Sequence, residues 1–375
     1  MVWSRAGIYS AYYRARMAVS KKKPGPEAVK KAKRVLVIAQ SGIGNMILTL
    51  PLIETIAKRL DHPRVDVLVS PRGGADLLKG LKYINEVIVS NDPKFLEPKE
   101  RKALFETIGL VGYDMTVTSY ACNSVESALI SAHSGAKIRA GHSSNARIRP
   151  DRLYNFVAKR DPARHEVQLN LDLARAMGLE PVTEEPRMAV SDKELEWAKG
   201  FLKAAGVPDN VLIIGFHPGC HKDMPYKRWK GFSELGRMLI KDKDAWVIVM
   251  GGPDEKELCG GVVSGIGKGA VLAAGKASLR QTAALMRCCK AFVTNDSGLM
   301  HLAQAAGTPV VAIFGPTDRR RTSPAGKNVL VHHDLGCGPC YVNPSDTVGC
   351  KEIKCLEGIK PDEVMSALDV FIGKA

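Results

Sequence analysis

No stretch of this 375-residue chain strings together the ~18 apolar residues of a membrane-spanning helix, so an integral membrane protein is not expected. The first residues include basic side chains but no apolar core leading to a cleavage site, so no secretory signal is expected and the chain reads as cytosolic. Acid is also short: 39 Asp or Glu face 54 Lys or Arg, a net charge of +15. Hydrophobic residues at 45% and charged residues at 25% exclude a largely disordered chain. At about 150 residues per domain, the length suits two α/β domains.

The shortage of acid is local. Residues 1–34 hold ten Lys or Arg against the single acid Glu27. A nucleic-acid-binding surface would spread its cations over the folded domains, so no nucleic-acid partner is expected. The same arm carries Trp3, Ile8, Tyr9, Tyr12, Tyr13 and Met17. Aromatic and aliphatic side chains beside Arg and Lys suit the headgroup layer of an anionic membrane, giving peripheral contact at the inner face of the cytoplasmic membrane. A solvated tail that only adds charge is the plainer alternative.

Five cysteines (Cys122, Cys220, Cys259, Cys288 and Cys289) are scattered and read as reduced thiols. Cys337, Cys340, Cys350 and Cys355 instead form a C-x2-C-x9-C-x4-C cluster. In a cytosolic chain this suggests a structural metal, zinc first, although the spacing is not that of a standard zinc finger; a cysteine-rich closing loop is the alternative.

After the arm, β-branched runs at Arg34–Ala39, 65–69, 87–89 and Met115–Thr118 alternate with helix-period segments at 45–60, 99–108 and Val125–His133. Continuous apolar strands separated by helices indicate a parallel sheet covered on both faces. The polar, proline-bounded stretch 181–186 marks a linker. Ser191 and Glu194 then form a capping box, and strands are expected at 211–216, 246–250, 271–274, 291–294 and 309–314. The expected division is an arm at 1–33, an acceptor-side domain at 34–186, a nucleotide-sugar domain at 187–360 and a closing helix at 361–375. Two doubly wound domains of this kind bind ligands beyond the carboxyl ends of their strands, here in a cleft between the domains.

Three strand-to-helix turns in the second half carry the chemistry. Thr294-Asn295-Asp296-Ser297-Gly298 opens a helix whose free N–H groups suit a diphosphate, and His301 lies one turn further on the same face. Asp296 reads as an N-cap or as a partner for His301. His217-Pro218-Gly219 follows a second strand, with Lys227 and Arg228 as cations for a leaving diphosphate and Trp229 packing on the sheet. Gly251-Gly252-Pro253-Asp254-Glu255 follows a third and offers an acid to ribose hydroxyls. In the first half, Ser41-Gly42-Ile43-Gly44-Asn45 makes a similar turn but lacks the third glycine of a dinucleotide fingerprint, which disfavours an oxidoreductase.

The segments SGIGNMILTLPL, HEVQLNLDLARAMGL, HPG with KRW, GGPDE, NDSGLMHLAQAAGTPVVAIFGPTD and the cysteine-bearing tail together resemble glycosyltransferase family 9. Its best-known members are heptosyltransferases of lipopolysaccharide core assembly. The resemblance implies a GT-B architecture of two Rossmann-like domains, an inverting transfer without an obligatory metal, ADP-heptose as the usual donor and a membrane-borne glycolipid as acceptor. It places Lys227 at the donor phosphates and Glu255 near the ribose. Asp296, Ser297, Gly298 and His301 fall at the diphosphate and sugar. Gly42, Gly44, His217 and Arg228 complete the expected donor set, and Arg147, Arg149 and His165, with Arg139 and Arg152, are the acceptor-side candidates.

One departure matters. Family members commonly have aspartate, the proposed general base, after the second glycine of the first motif; this chain has Asn45. An amide accepts no proton at neutral pH. Either another residue serves (Glu54, His133, His142 or His165), or Asn45 only orients the hydroxyl, or the chain binds sugar nucleotide with little or no transfer. A sugar-nucleotide epimerase would share the paired domains.

Overall fold

The computed structural model describes residue 15 and residues 19–71, 74–147, 149–221, 223–340, 350 and 352–373. The aromatic part of the arm lies outside the described residues. The chain divides into two compact units, Met1–Pro186 and Arg187–Ala375. No helix among the described residues is long and apolar enough to cross a membrane.

Unit 1 is a six-stranded sheet in the order β3-β2-β1-β4-β5-β6, and every neighbouring pair is parallel. The strands are β1 (Arg34–Ala39), β2 (Arg64–Val69), β3 (Glu86–Val89), β4 (Met115–Thr118), β5 (Ile138–His142) and β6 (Phe156–Ala158). β1 is buried from Val35 to Ala39, as expected where helices cover both faces. The expected helix 45–60 is two helices, Ile43–Ile47 and Leu50–Arg59. Pro51, in the first turn of the second, lacks the N–H that would continue the ladder.

Sequence periodicity missed β5 and β6. β5 reads Ile-Arg-Ala-Gly-His, yet all five residues are buried. The Arg139 guanidinium is satisfied by carbonyls alone, donating to Ala136, Leu153 and Ser20. Burial lowers its pKa. The contact to Ser20, with Asn155 Nδ2 donating to the Lys22 carbonyl at 3.0 Å and Lys23 Nζ 5.7 Å from the Phe156 ring, lays the described end of the arm along this unit.

Unit 2 repeats the plan in the order β12-β11-β10-β7-β8-β9, again all parallel. Its strands are β7 (Ile213–His217), β8 (Trp246–Val249), β9 (Ala270–Leu272), β10 (Ala291–Asn295), β11 (Val310–Ile313) and β12 (Asn328–Val331), the last not expected from the sequence. Counted along each unit, both sheets run 3-2-1-4-5-6, the doubly wound order. The Ser191–Glu194 capping box is present and starts the helix Asp192–Ala204. The helix Pro361–Ile372 contributes Val364 and Leu368 to the unit 2 core. In each sheet the chain reverses winding direction beside the first strand: between β1 and β4 in unit 1, and between β7 and β10 in unit 2.

Candidate active site

β7 and β10 are adjacent, and the turns at their carboxyl ends are stitched together by Asn295. Its amide nitrogen donates to the carbonyls of Pro218 (2.8 Å) and Gly219 (3.2 Å), and its amide oxygen accepts from the Trp229 backbone N–H (3.0 Å). Trp229 is buried, donates its indole N–H to the Ile359 carbonyl at 3.0 Å and packs edge-on to Phe232. Gly219 leaves room for Glu255: a Cβ there would stand 1.8 Å from Oε1, so the carboxylate would have to move.

The resulting crevice holds a linked set of polar groups. His217 Nδ1 lies 2.9 Å from Ser297 Oγ, and Nε2 lies 3.2 Å from both Glu255 carboxylate oxygens. Glu255 Oε2 also accepts the Gly252 N–H at 2.8 Å. Burial opposes ionisation of Glu255, but the His217 hydrogen bond, the Gly252 N–H and the Arg228 charge outweigh it and hold the carboxyl below its ordinary value. Thr294 donates to the Asn295 carbonyl at 2.8 Å and sits 3.3 Å from Ser297 Oγ.

Asp296 is not the N-cap. That position belongs to Ser297, with Asp296 paired to Lys227 (Nζ to Oδ2, 2.7 Å), each side chain only 10% exposed. Ser297 makes no side-chain cap bond, because its hydroxyl is turned to His217. The first-turn amides of the helix Gly298–Ala305 therefore lack a side-chain cap, and an anion would find free donors there. His301 is buried on the same helix. Arg228 Nε is buried without a hydrogen-bond partner, and the guanidinium charge acts on Glu255 and on the Cys220 thiol. Cys220 in the same turn donates to the Met224 carbonyl, and burial raises its thiol pKa.

The unit 1 candidates are more dispersed. Asn45 lies in Ile43–Ile47, its carbonyl accepting the Thr49 hydroxyl at 2.8 Å. Gly42 caps that helix, and a Cβ there would meet nothing, so packing does not demand glycine; Gly44 follows within the same helix. Glu54 pairs with Lys58. His133 stacks on Phe105 and bonds the Leu129 carbonyl. His142 is fully buried against the Leu169 carbonyl (2.9 Å), and burial lowers its pKa to about 4. His165 N-caps Glu166–Ala176.

Of the acceptor-side arginines, Arg147 is exposed, Arg152 is exposed on a short 3-10 turn, and Arg149 makes a bidentate pair with Asp151 (2.7 and 3.0 Å). Arg139 is the correction: with its donors spent on carbonyls inside the unit, it is not available to a phosphate. Sequence reading missed Arg160, which follows β6 and lies over the Tyr120 ring at 5.7 Å. A cation immediately after a strand end is the signal that would have found it.

The expected zinc finds no support. Among the described residues no three His, Cys, Asp or Glu side chains are placed to hold a metal ion. Cys337, Cys340, Cys350 and Cys355 are free thiols lining one cavity of about 340 Å³, and burial together with the neighbouring thiols raises the pKa of Cys340 and Cys355.

The family model described as glycosyltransferase family 9 (heptosyltransferase) matches residues 101–349. Lipopolysaccharide heptosyltransferase 2 of Escherichia coli K12 is 29% identical over 314 residues, 80% of this chain and 87% of that protein. The solved structure of E. coli ADP-heptose lps heptosyltransferase II superposes with a TM-score of 0.73 at 26% identity, covering 90% of this chain and 98% of that one. E. coli heptosyltransferase WaaC with ADP-2-deoxy-2-fluoro heptose shares the fold, with a TM-score of 0.62 at 22% identity over 82% of this chain and 96% of its own. With two parallel Rossmann-like units and a model match over more than half its length, the chain is a GT-B enzyme that belongs to glycosyltransferase family 9.

Proposed function

We propose that the chain transfers heptose from ADP-heptose, with inversion, to a glycolipid acceptor such as the lipopolysaccharide inner core. The observation that carries the donor assignment is Ser297. It occupies an N-cap yet leaves the helix amides without a side-chain cap, and Arg228, whose charge reaches Glu255 of the same hydrogen-bonded set, has a buried Nε without a partner. A diphosphate there gains helix-terminus stabilisation of up to about 2 kcal/mol. The ADP-sugar carried by WaaC supports the donor class. In this reading Arg228 and Lys227 meet the diphosphate, Glu255 faces the ribose, and Gly298 and His301 line the diphosphate and sugar. The acceptor oxygen bonds to the anomeric carbon as the carbon–oxygen bond to ADP breaks. Stabilising charge on the departing diphosphate is the largest contribution.

The acceptor belongs to unit 1, near Gly42, Gly44 and Asn45, with Arg147, Arg149, Arg160 and His165 as candidates for its anionic groups. The basic aromatic arm would hold the enzyme at the inner face of the cytoplasmic membrane. Incubation with labelled ADP-heptose and a phosphorylated core acceptor tests the function, and no turnover above spontaneous donor hydrolysis would defeat it. Asn45 supports a second reading, a sugar-nucleotide-binding protein that transfers slowly or not at all; ADP binding without turnover would select it.

A further inference from the structure

The hydrogen positions around His217 admit few arrangements. Glu255 is ionised and receives the Gly252 N–H, so the ring nitrogen 3.2 Å from both its oxygens must carry hydrogen; a bare Nε2 would set a lone pair against a carboxylate. Nδ1, 2.9 Å from Ser297 Oγ, then has two states. In the neutral ring it accepts the Ser297 hydroxyl hydrogen. In the imidazolium it donates to Ser297 Oγ, and the serine hydrogen is released. Thr294 gives its own hydrogen to the Asn295 carbonyl and so does not serve Nδ1, 3.5 Å away, while its oxygen, 3.3 Å from Ser297 Oγ, can hold the released serine hydrogen until an anion takes it. Ser297 thus has one hydrogen and two claimants, His217 and any anion at the helix start.

We infer that His217 is a proton-linked positioning residue: its ring takes up a proton when a nucleoside diphosphate binds, which turns Nδ1 into a donor and frees the Ser297 hydroxyl for the diphosphate. This rests on the donor assignment above and adds to it a coupling between the ribose side, through Glu255, and the diphosphate side, through Ser297. The ring is only 3% exposed, so the proton is exchanged inside the crevice. The charged and titratable groups around it are Glu255 after β8, Cys220, Lys227 and Arg228 after β7, and Asp296 after β10. Lys227 is paired with Asp296, Glu255 faces Nε2, and Arg228 has a buried Nε without a partner.

The test is ring-nitrogen NMR of protein labelled with ¹⁵N-histidine, the His217 signals assigned by their loss in His217→Gln. At pH 8 the free protein should show one bare and one protonated His217 nitrogen, and saturation with ADP should protonate both. Calorimetry between pH 7.5 and 9.5, where ADP keeps a constant charge, should show wild-type affinity falling by up to about tenfold per pH unit. His217→Asn, whose amide nitrogen can donate to Ser297 at any pH, should be flat within about twofold, as should Ser297→Ala at lower affinity. A bare Nδ1 in the ADP-saturated protein, or wild-type affinity as flat as the variants, overturns the inference even if His217→Asn does not fold. If Arg228→Ala and His301→Ala leave ADP affinity unchanged, the donor assignment itself falls; if they weaken binding while the ring stays bare, only the proton linkage falls.

Discussion

The two units share one strand order but fill their winding-reversal points differently. In unit 2 the polar groups beyond β7 and β10 are bonded mainly to one another: His217 to Ser297 and Glu255, Lys227 to Asp296, and Asn295 to the β7 turn. In unit 1 the corresponding place, beyond β1 and β4, holds Gln40 Oε1, Ser41 Oγ, Thr118 Oγ1, Ser119 Oγ and Asn123 Oδ1, buried atoms that make no geometrically complete hydrogen bond among the described residues, with Ser41 and Ser119 set beside the Cys122 thiol and Thr118 beside the Tyr154 hydroxyl. The same backbone therefore supports a tightly hydrogen-bonded crevice in one unit and a cluster of loosely satisfied hydroxyls and amides in the other. Buried polar groups without full hydrogen bonds cost stability, so this end of the unit 1 sheet is the less firmly bonded of the two.

The largest effect should come from giving unit 1 the charge it lacks. Asn45→Asp is expected to raise kcat about 10²–10⁴-fold, the usual contribution of a general base, in a transfer assay at neutral pH. An unchanged rate would mean that proton removal already has another route. Next comes unit 2: Asp296→Ala leaves Lys227 unpaired and poorly solvated, and should cost about 3–5 kcal/mol in urea unfolding. A loss below 1 kcal/mol would show that the crevice is less rigid than its bonding implies.

The third prediction concerns acid. Folding holds His142 at about 4, below its unfolded value of ~6.5, so the neutral ring stabilises unit 1. That stability is complete above pH ~6.5 and is lost as pH falls towards 4, by about 3 kcal/mol in all. His142→Gln, which keeps a donor for the Leu169 carbonyl, should flatten this part of the pH–stability curve. The smallest effect is expected at Ser119→Ala, which removes a buried hydroxyl beside the Cys122 thiol. Stability should change by no more than about 1 kcal/mol in urea unfolding, whereas acceptor affinity should drop if the hydroxyl serves the acceptor.

The sequence displayed strands whose apolar residues run without interruption, as in Arg34–Ala39, and it displayed the turns that end them. It hid β5 because a buried arginine and histidine look like surface residues until the carbonyls that satisfy them are brought near by folding. β6 spans three residues and is too short for a period to register. At the site, the composition of each turn was legible and the pairing was not. Asp296 and Lys227 lie 69 positions apart, and no local spacing announces their ion pair or the histidine shared between Glu255 and Ser297.

The bare α-carbon of Gly219 has a practical consequence. Because the Glu255 carboxylate leans into the space a side chain would need, alanine at 219 acts as a wedge driven against that carboxylate from the protein's own backbone. One added carbon would push the carboxylate away from His217 and the Gly252 N–H while leaving every charged and hydrogen-bonding group in the sequence. Gly219→Ala therefore reports what the placement of Glu255 is worth, separately from its presence.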